Sequence, residues 1–179
     1  MSEQTDMDRA WEELEVPDGL TAQYFGGQII MQANPTTLHD FIIRNVTRQD
    51  FPAVEAWGER GMDLDTDGKP RPDVVFIASE DIPMQVRDWP ASLVQAVAEV
   101  VSPSSAKDDL RTKRELYALH RIPTYLVIDP RKATWRVLTL SGVGYVETDE
   151  GVFGQPIELK LPAGTITVST HGWQPYPTV

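Results

Sequence analysis

An α/β (α+β) fold, with a mixed central β-sheet flanked by helices, is what the sequence predicts, and three observations predict it. Leu93 to Val101 is a nearly unbroken apolar run, the mark of a central strand covered on both faces. A helical stretch and a second apolar run, Tyr125 to Asp129, follow it; strand, helix, strand in that order is a parallel crossover. Thr134 to Leu140 and Val143 to Glu147 then flank Ser141-Gly142 and read as an antiparallel hairpin, so the sheet mixes both strand senses.

The other elements follow in chain order. Residues 1–18 are an acidic, polar extension, and 19–179 are expected to form a single domain. From Ala22 to Met31, apolar residues on either side of Gly26-Gly27 predict a hairpin. Asn34 before Pro35 predicts a helix N-terminus, with Leu38, Phe41, Ile42 and Val46 as its inward face. Between residues 51 and 71 the clearest turn signal is Asp67-Gly68, which suggests that Met62 to Asp65 pairs with Asp73 to Ile77. Ile82 to Pro90 reads as a surface loop. Ser105-Ala-Lys-Asp108 has a capping-box pattern and starts a helix that runs to about His120. Asp129 before Pro130 ends its strand, and Ile157 to Leu161 with Ile166 to Val168 makes a final pair.

The composition bounds the function. At 179 residues and 41% hydrophobic, the chain has the size and apolar share of one folded domain. Sixteen basic against 27 acidic residues give −11, which argues against a generic coat for nucleic acid or anionic membranes. With no Cys, disulfides, thiolate metal sites and a Cys nucleophile are excluded, and any metal must be held by His, carboxylates and water. Met1 to Asp18 has no apolar segment of the kind a signal peptide or membrane anchor needs, and no continuous apolar run is longer than a strand. A cytoplasmic location without membrane association is the expectation.

Three residues do not fit a bland core. Glu99 lies in the middle of Ala96-Val97-Ala98 and Val100-Val101, where an ionised carboxylate is costly to bury unless it meets a cation. Lys113 is the matching oddity: counted from Leu110 it falls at about 300° on the helical wheel, between Leu116 at about 240° and Tyr117 at about 340°. Its ammonium therefore rises from the apolar stripe toward the strand that carries Glu99; the bland alternative is a snorkelling lysine whose charge escapes to water. Asp73 follows Pro72 at the start of an apolar strand, by itself ordinary turn chemistry. Together Asp73, Glu99 and a strand carbonyl such as that of Val100 offer oxygen ligands suited to Mg²⁺, with positions left for water and a phosphate oxygen. Lys113 would stabilise charge at phosphorus or orient the nucleophile.

At these residues the chain resembles a known family. Arg71-Pro72-Asp73-Val74-Val75-Phe76, Val97-Ala98-Glu99-Val100-Val101-Ser102-Pro103-Ser104, Asp109-Leu-Arg-Thr-Lys113-Arg-Glu-Leu-Tyr117 and Ile122-Pro123-Thr-Tyr125-Leu-Val-Ile-Asp129-Pro130 look like the bacterial Uma-type restriction endonuclease family of the PD-(D/E)xK nuclease superfamily. The similarity runs from about Gln23 to Val168. It implies a restriction-endonuclease-like core with a divalent-metal site at strand ends, Mg²⁺ or Mn²⁺ as cofactor, DNA as substrate, Asp73 and Glu99 as the motif acids, and Lys113 as the motif lysine. In the superfamily's basic pattern that lysine lies two residues after the Glu, where this chain has Val101; Lys113 takes the role from the following helix. Lys113 and Tyr117 also resemble the Gln/Lys-xxx-Tyr helix motif of exonuclease-like members, which makes Tyr117 an accessory candidate beside its plainer role as a packed aromatic.

One position departs from the family. Members usually carry a Glu where this chain has Gln23, and an amide adds no charge to a metal site. His39, which also matches a family position, is either a phosphate or proton-transfer residue or, as the simpler expectation, a surface histidine on an amphipathic helix. Asp109, Ser102 and Ser104 read first as helix-start and turn residues.

The resemblance also changes what the charge count says. Between Lys107 and Arg136 stand eight cations and four acids, so half of the basic residues lie in the helix and strands that follow Glu99. Lys107, Arg111 and Arg114 on the helix are the expected DNA contacts, felt within a Debye length of about 8 Å. Three functions are thus in contention: a Mg²⁺-dependent deoxyribonuclease, a catalytically weak nuclease fold that serves as a binding or assembly module, and a nuclease that works only inside a complex whose partner protein supplies DNA affinity. A homodimer is expected on symmetry grounds.

Overall fold

The structure, a computed structural model, describes residues 6–33, 36–102 and 107–177, with only the backbone at 33 and 107–109. In chain order the elements are α1 (Asp6–Glu12), β1 (Leu20–Phe25), β2 (Gln28–Ala33), α2 (Thr37–Thr47), β3 (Val54–Gly58), β4 (Met62–Asp63), β5 (Gly68–Lys69), β6 (Val74–Ala78), β7 (Trp89–Pro90), β8 (Val94–Val100), α3 (Lys107–Leu119), β9 (Thr124–Asp129), β10 (Thr134–Ser141), β11 (Gly144–Val152), β12 (Ile157–Leu161) and β13 (Gly164–Val168). Six strands form the central sheet in the order β11-β10-β9-β8-β6-β3. The β8–β9 pair is parallel and the other pairs in that sheet are antiparallel. The mixed sheet and the β8–α3–β9 crossover are as the sequence predicts. No helix among the described residues is long and apolar enough to cross a membrane.

Strand alternation divides the core between the two faces of this sheet. Val74 and Phe76, Ala96, Ala98 and Val100, and Leu126 and Ile128 face one way, toward Ile42, Ile43 and Val46 of α2 and the β12–β13 hairpin. Val75 and Ile77, Val97 and Val101, and Tyr125 and Val127 face the other way, toward Leu116, Tyr117 and Ala118 of α3 and Phe25 of β1. A smaller sheet, β2-β1-β5, joins this second layer. The Gly26-Gly27 turn between β1 and β2 has φ of 58° and 71°, the left-handed pair that a two-residue hairpin requires. At the far edge β11 exposes Glu147, Thr148, Asp149 and Glu150.

Four local expectations need correction. Met62 to Asp65 does not pair with Asp73 to Ile77: β6 is apolar on both faces and is sandwiched between β3 and β8. The Asp67-Gly68 turn instead follows a 3₁₀ turn and delivers Gly68 against β1, where a Cβ would fall 2.4 Å from the Tyr24 carbonyl oxygen. On α2 the capping residue is Thr36, whose hydroxyl accepts from the His39 amide at 3.4 Å; Asn34 and Pro35 lie outside the described residues. Phe41 is 44% exposed, because the inward stripe is His39, Ile42, Ile43 and Val46. The loop before β8 is exposed over most of its length but ends in a buried Trp89, packed edge-on against Trp57 at 5.7 Å. The capping residues expected at Ser105 also lie outside the described residues.

The acidic extension contains a short helix, and Trp11 reaches Tyr24 at a ring separation of 6.2 Å. At the other end of the chain, residues after β13 run back over α2. The Gln49 side chain grips Ser169 through two bonds of 3.0 and 2.7 Å, and Trp173 donates to Asn45 at 2.8 Å. The Tyr176 amide then bonds to the Pro130 carbonyl at 3.0 Å.

Candidate active site

Alternation along β8 decides where Glu99 points. It falls between Val97 and Val101 on the α3 face, and the inward stripe of α3 meets it with Lys113 and Tyr117. Lys113 Nζ lies 3.0 Å from Glu99 Oε2, and the Tyr117 hydroxyl donates to Oε1 at 2.7 Å. The Glu99 and Lys113 side chains are each only 5% exposed, so the lysine does not snorkel. Lys113 Nζ also stands 5.8 Å from the centre of the Phe25 ring. Burial pushes the Glu99 carboxyl up to about 7, against the pull of the Lys113 charge, and the nearby Asp73 charge pushes it in the same direction as burial. Burial beside Glu99 holds the Tyr117 phenol well above its ordinary range, so it stays a donor.

Asp73 stands one residue beyond the Val74–Ala98 rung of the β6–β8 pair, where the next rung would set it opposite Glu99. Its Oδ2 accepts from the Val100 amide at 2.7 Å and lies 3.2 Å from His39 Nε2. Both contacts fall on the same oxygen; Oδ1 has no hydrogen-bond partner among the described residues, and the side chain is 19% exposed. His39 is therefore a buried residue of this cluster, contrary to the surface position expected. Burial lowers its pKa, but the hydrogen bond and charge of Asp73 more than offset that and leave it raised. Its Nδ1 is buried without a hydrogen-bond partner among the described residues.

Gln23 stands back from the acids. Its Oε1 accepts from the Arg71 amide at 3.3 Å and its Nε2 donates to Gln32 at 3.3 Å, so it braces the segment leading into Asp73. The expected DNA contacts on α3 are not gathered with the acids. Arg111 pairs with Glu115 at 3.2 Å, and Arg114 donates to the Tyr145 carbonyl at 2.8 Å, both on the outer side of the helix. The Lys107 side chain lies outside the described residues. Further along the same stretch, Arg121 donates to the Gly142 carbonyl, Arg131 forks onto Asp129 at 2.9 Å, and Arg136 lies 3.5 Å from Glu147. Much of the local positive excess is thus tied to protein oxygens.

Hard oxygen donors suit a hard divalent cation, and here Asp73 keeps an oxygen open beside a second carboxylate whose ionisation it opposes. Among the described residues no three His, Asp or Glu side chains converge as a complete cage. The remaining positions would therefore fall to a backbone oxygen, such as that of Val100, and to water.

Two groups near the site have no sequence signal. Tyr176 comes from an aperiodic tail, and its phenol, raised by burial, approaches Thr36 without a hydrogen bond of acceptable geometry. On the other side, the Glu59 amide bonds to the Asp73 carbonyl at 3.0 Å, and the guanidinium of the next residue, Arg60, lies over the Trp57 ring.

A family model described as "Uma2: Putative restriction endonuclease" matches residues 9–169. Among solved structures, that of "a putative nuclease belonging to DUF820" from Anabaena variabilis is similar, with a TM-score of 0.61 over 86% of this chain and 87% of that one. The two are 18% identical, so the likeness is one of fold. No curated protein matches the chain.

Proposed function

The chain belongs to the Uma2 family, and from that premise we propose that it hydrolyses phosphodiester bonds in DNA with the help of Mg²⁺ or Mn²⁺, bound by Asp73, Glu99 and the Val100 carbonyl. The observation that carries this reading is the buried Glu99–Lys113 pair beside Asp73. A well-packed hydrophobic pair of similar volume would serve stability as well or better, so charges kept here are better explained by chemistry than by folding.

When bound, the cation would lower the pKa of a coordinated water and offset negative charge on the phosphate. The protein's own part is positioning. The Val100 amide and His39 fix one Asp73 oxygen and leave the other without a hydrogen-bond partner among the described residues. Lys113 and Tyr117 each hold one Glu99 oxygen. The Lys113 ammonium would add fixed positive charge near the negative charge that develops on the phosphoryl oxygens. In the net reaction water oxygen bonds to phosphorus, the bond from phosphorus to a sugar oxygen breaks, and the departing oxygen takes a proton. Burial favours the protonated form of Glu99 in the metal-free protein, and a bound cation would favour its carboxylate. A homodimer is part of the proposal, as the arrangement that brings two such sites to two strands.

The test is incubation with plasmid and short duplexes in Mg²⁺ or Mn²⁺, with Glu99→Ala in parallel. Cleavage by the wild type and none by the variant is expected; equal cleavage by both, or none by either, overturns the proposal. A second reading, a catalytically weak fold used for binding or assembly, is favoured by Gln23, whose neutral amide is already engaged by Arg71 and Gln32. It predicts no Mn²⁺ binding by calorimetry. Micromolar affinity that is lost in Asp73→Ala would count against it.

A further inference from the structure

Arg60 sits in the turn that joins the edge strand β3 to β4, and both of its chain neighbours are anchored. The Glu59 amide donates to the Asp73 carbonyl at 3.0 Å, and the Gly61 carbonyl accepts from the Trp89 amide at 2.8 Å. Its guanidinium carbon stands 5.0 Å from the centre of the Trp57 ring and 5.8 Å from that of Trp89, and the two rings meet edge to face. Trp57 pairs with Val75, two residues from Asp73, and by strand alternation lies on the α3 face, the face that carries Glu99. The nearest carboxylate in sequence on that strand, Glu55, is held by the Trp57 indole at 3.1 Å.

This contrasts with the arginines on the other side of the site. Arg111, Arg131 and Arg136 spend their charge on acids, and Arg114 and Arg121 on backbone carbonyls. Arg60 makes no ion pair or hydrogen bond among the described residues. A guanidinium held against two aromatic rings is restricted in its rotamers while its edge donors stay unused among the described residues, a pre-organised state suited to a bidentate contact with an anionic oxygen pair.

We infer that Arg60 contacts a backbone phosphate of the nucleic acid, on the β3 side of Asp73, with Trp57 and Trp89 as the platform that pre-sets it. This rests on the nuclease reading above and adds a binding residue to it. The contact carries no base information, so it positions the strand and leaves sequence choice to other groups.

The experiment measures the affinity of a fluorescein-labelled duplex by anisotropy across a KCl series in EDTA, for wild type, Arg60→Ala and Arg60→Lys, with cleavage in Mg²⁺ and thermal melting alongside. For Arg60→Ala we expect affinity to fall about tenfold, and the slope of log K against log salt to lose about 0.9. Arg60→Lys should restore the slope but only part of the affinity, since an ammonium cannot make the fork. Unchanged affinity and slope in Arg60→Ala, while the wild type binds and cleaves the duplex, overturn this inference alone. So does a lower melting temperature with the slope intact, which would mean that Arg60 only covers the two rings. A wild type that neither binds nor cleaves DNA overturns the nuclease reading, and this inference with it.

Discussion

On the α2 face of the central sheet, Val74, Phe76, Ala98 and Val100 meet Ile42 and Val46, and this packed cluster is apolar, with His39 of the same helix stripe turned to Asp73. On the α3 face the same strands bring Val75, Val97 and Val101, and with them Glu99, joined to Lys113 and Tyr117. Both layers are fully buried and both rest on two-residue alternation. The difference lies in what holds them. The first is kept by dispersion and removal of apolar area from water; the second also contains a charge network that is neutral as a set but costly if any member is removed. The first layer should therefore respond to volume, and the second to charge and proton concentration.

The sharpest test of the volume side is Phe76→Ala, which should destabilise by about 3–5 kcal/mol, by equal amounts at pH 5 and pH 8. Urea midpoints at the two pH values would show it, and a strong pH dependence would break the comparison. On the charge side, Lys113→Met should cost about 3 kcal/mol at pH 8, where Glu99 is left ionised, and less at pH 5, where Glu99 can take up a proton. The double variant Glu99→Leu with Lys113→Met should recover most of that loss while cleavage stays absent. If the double variant is no better than the single, the charges are holding the layer together after all. Tyr117→Phe should cost about 1–2 kcal/mol, since one Glu99 oxygen loses its donor but the ring keeps its place against Tyr125.

The charge layer also sets a pH slope in the metal-free protein. Glu99 has its pKa raised from 4.5 in the unfolded chain to about 7, so between these values the folded state binds more protons. Its contribution to stability therefore falls as pH rises through that window and is level on either side. His39, raised above 6.5, acts in the same direction: its contribution is present below that value and is lost as pH rises through the higher folded one. Glu99→Gln should flatten the part between 4.5 and 7, as read from chemical denaturation across that range.

How much of this was legible in the sequence depends on the range of the forces involved. The pairing of Glu99 with Lys113 could be read because both ends of the argument are local: a charge in an apolar run, and a charge at about 300° on a helical wheel, 14 residues apart. The crossover of β8, α3 and β9 could be read for the same reason. The position of Asp73 was legible as a strand start, but its bond to the Val100 amide depends on register across 27 residues, which no window of sequence contains. His39 was misplaced because the wheel of α2 has two apolar flanks, and Phe41 had as good a claim to the core as Ile43 until the sheet chose between them. The Asp67-Gly68 turn signal is local and carries nothing about β6, which is flanked on both edges by strands distant in sequence. Trp57, Arg60 and Trp89 give no periodic signal, because they meet only when the edge strand and the loop before β8 are brought together.

The far edge of the sheet has a bearing on how copies of this chain can associate. A strand whose outer side is open is a template for another strand, and the hydrogen-bonding groups of β11 would accept one from any neighbour. Glu147, Asp149 and Glu150 stand along that strand in solvent. Two molecules approaching edge to edge would bring these carboxylates against their own kind, on a chain that already carries −11. Repulsion therefore opposes growth of the sheet at this end, and the proposed two-fold pair would be favoured through β3, the helices or the loops instead.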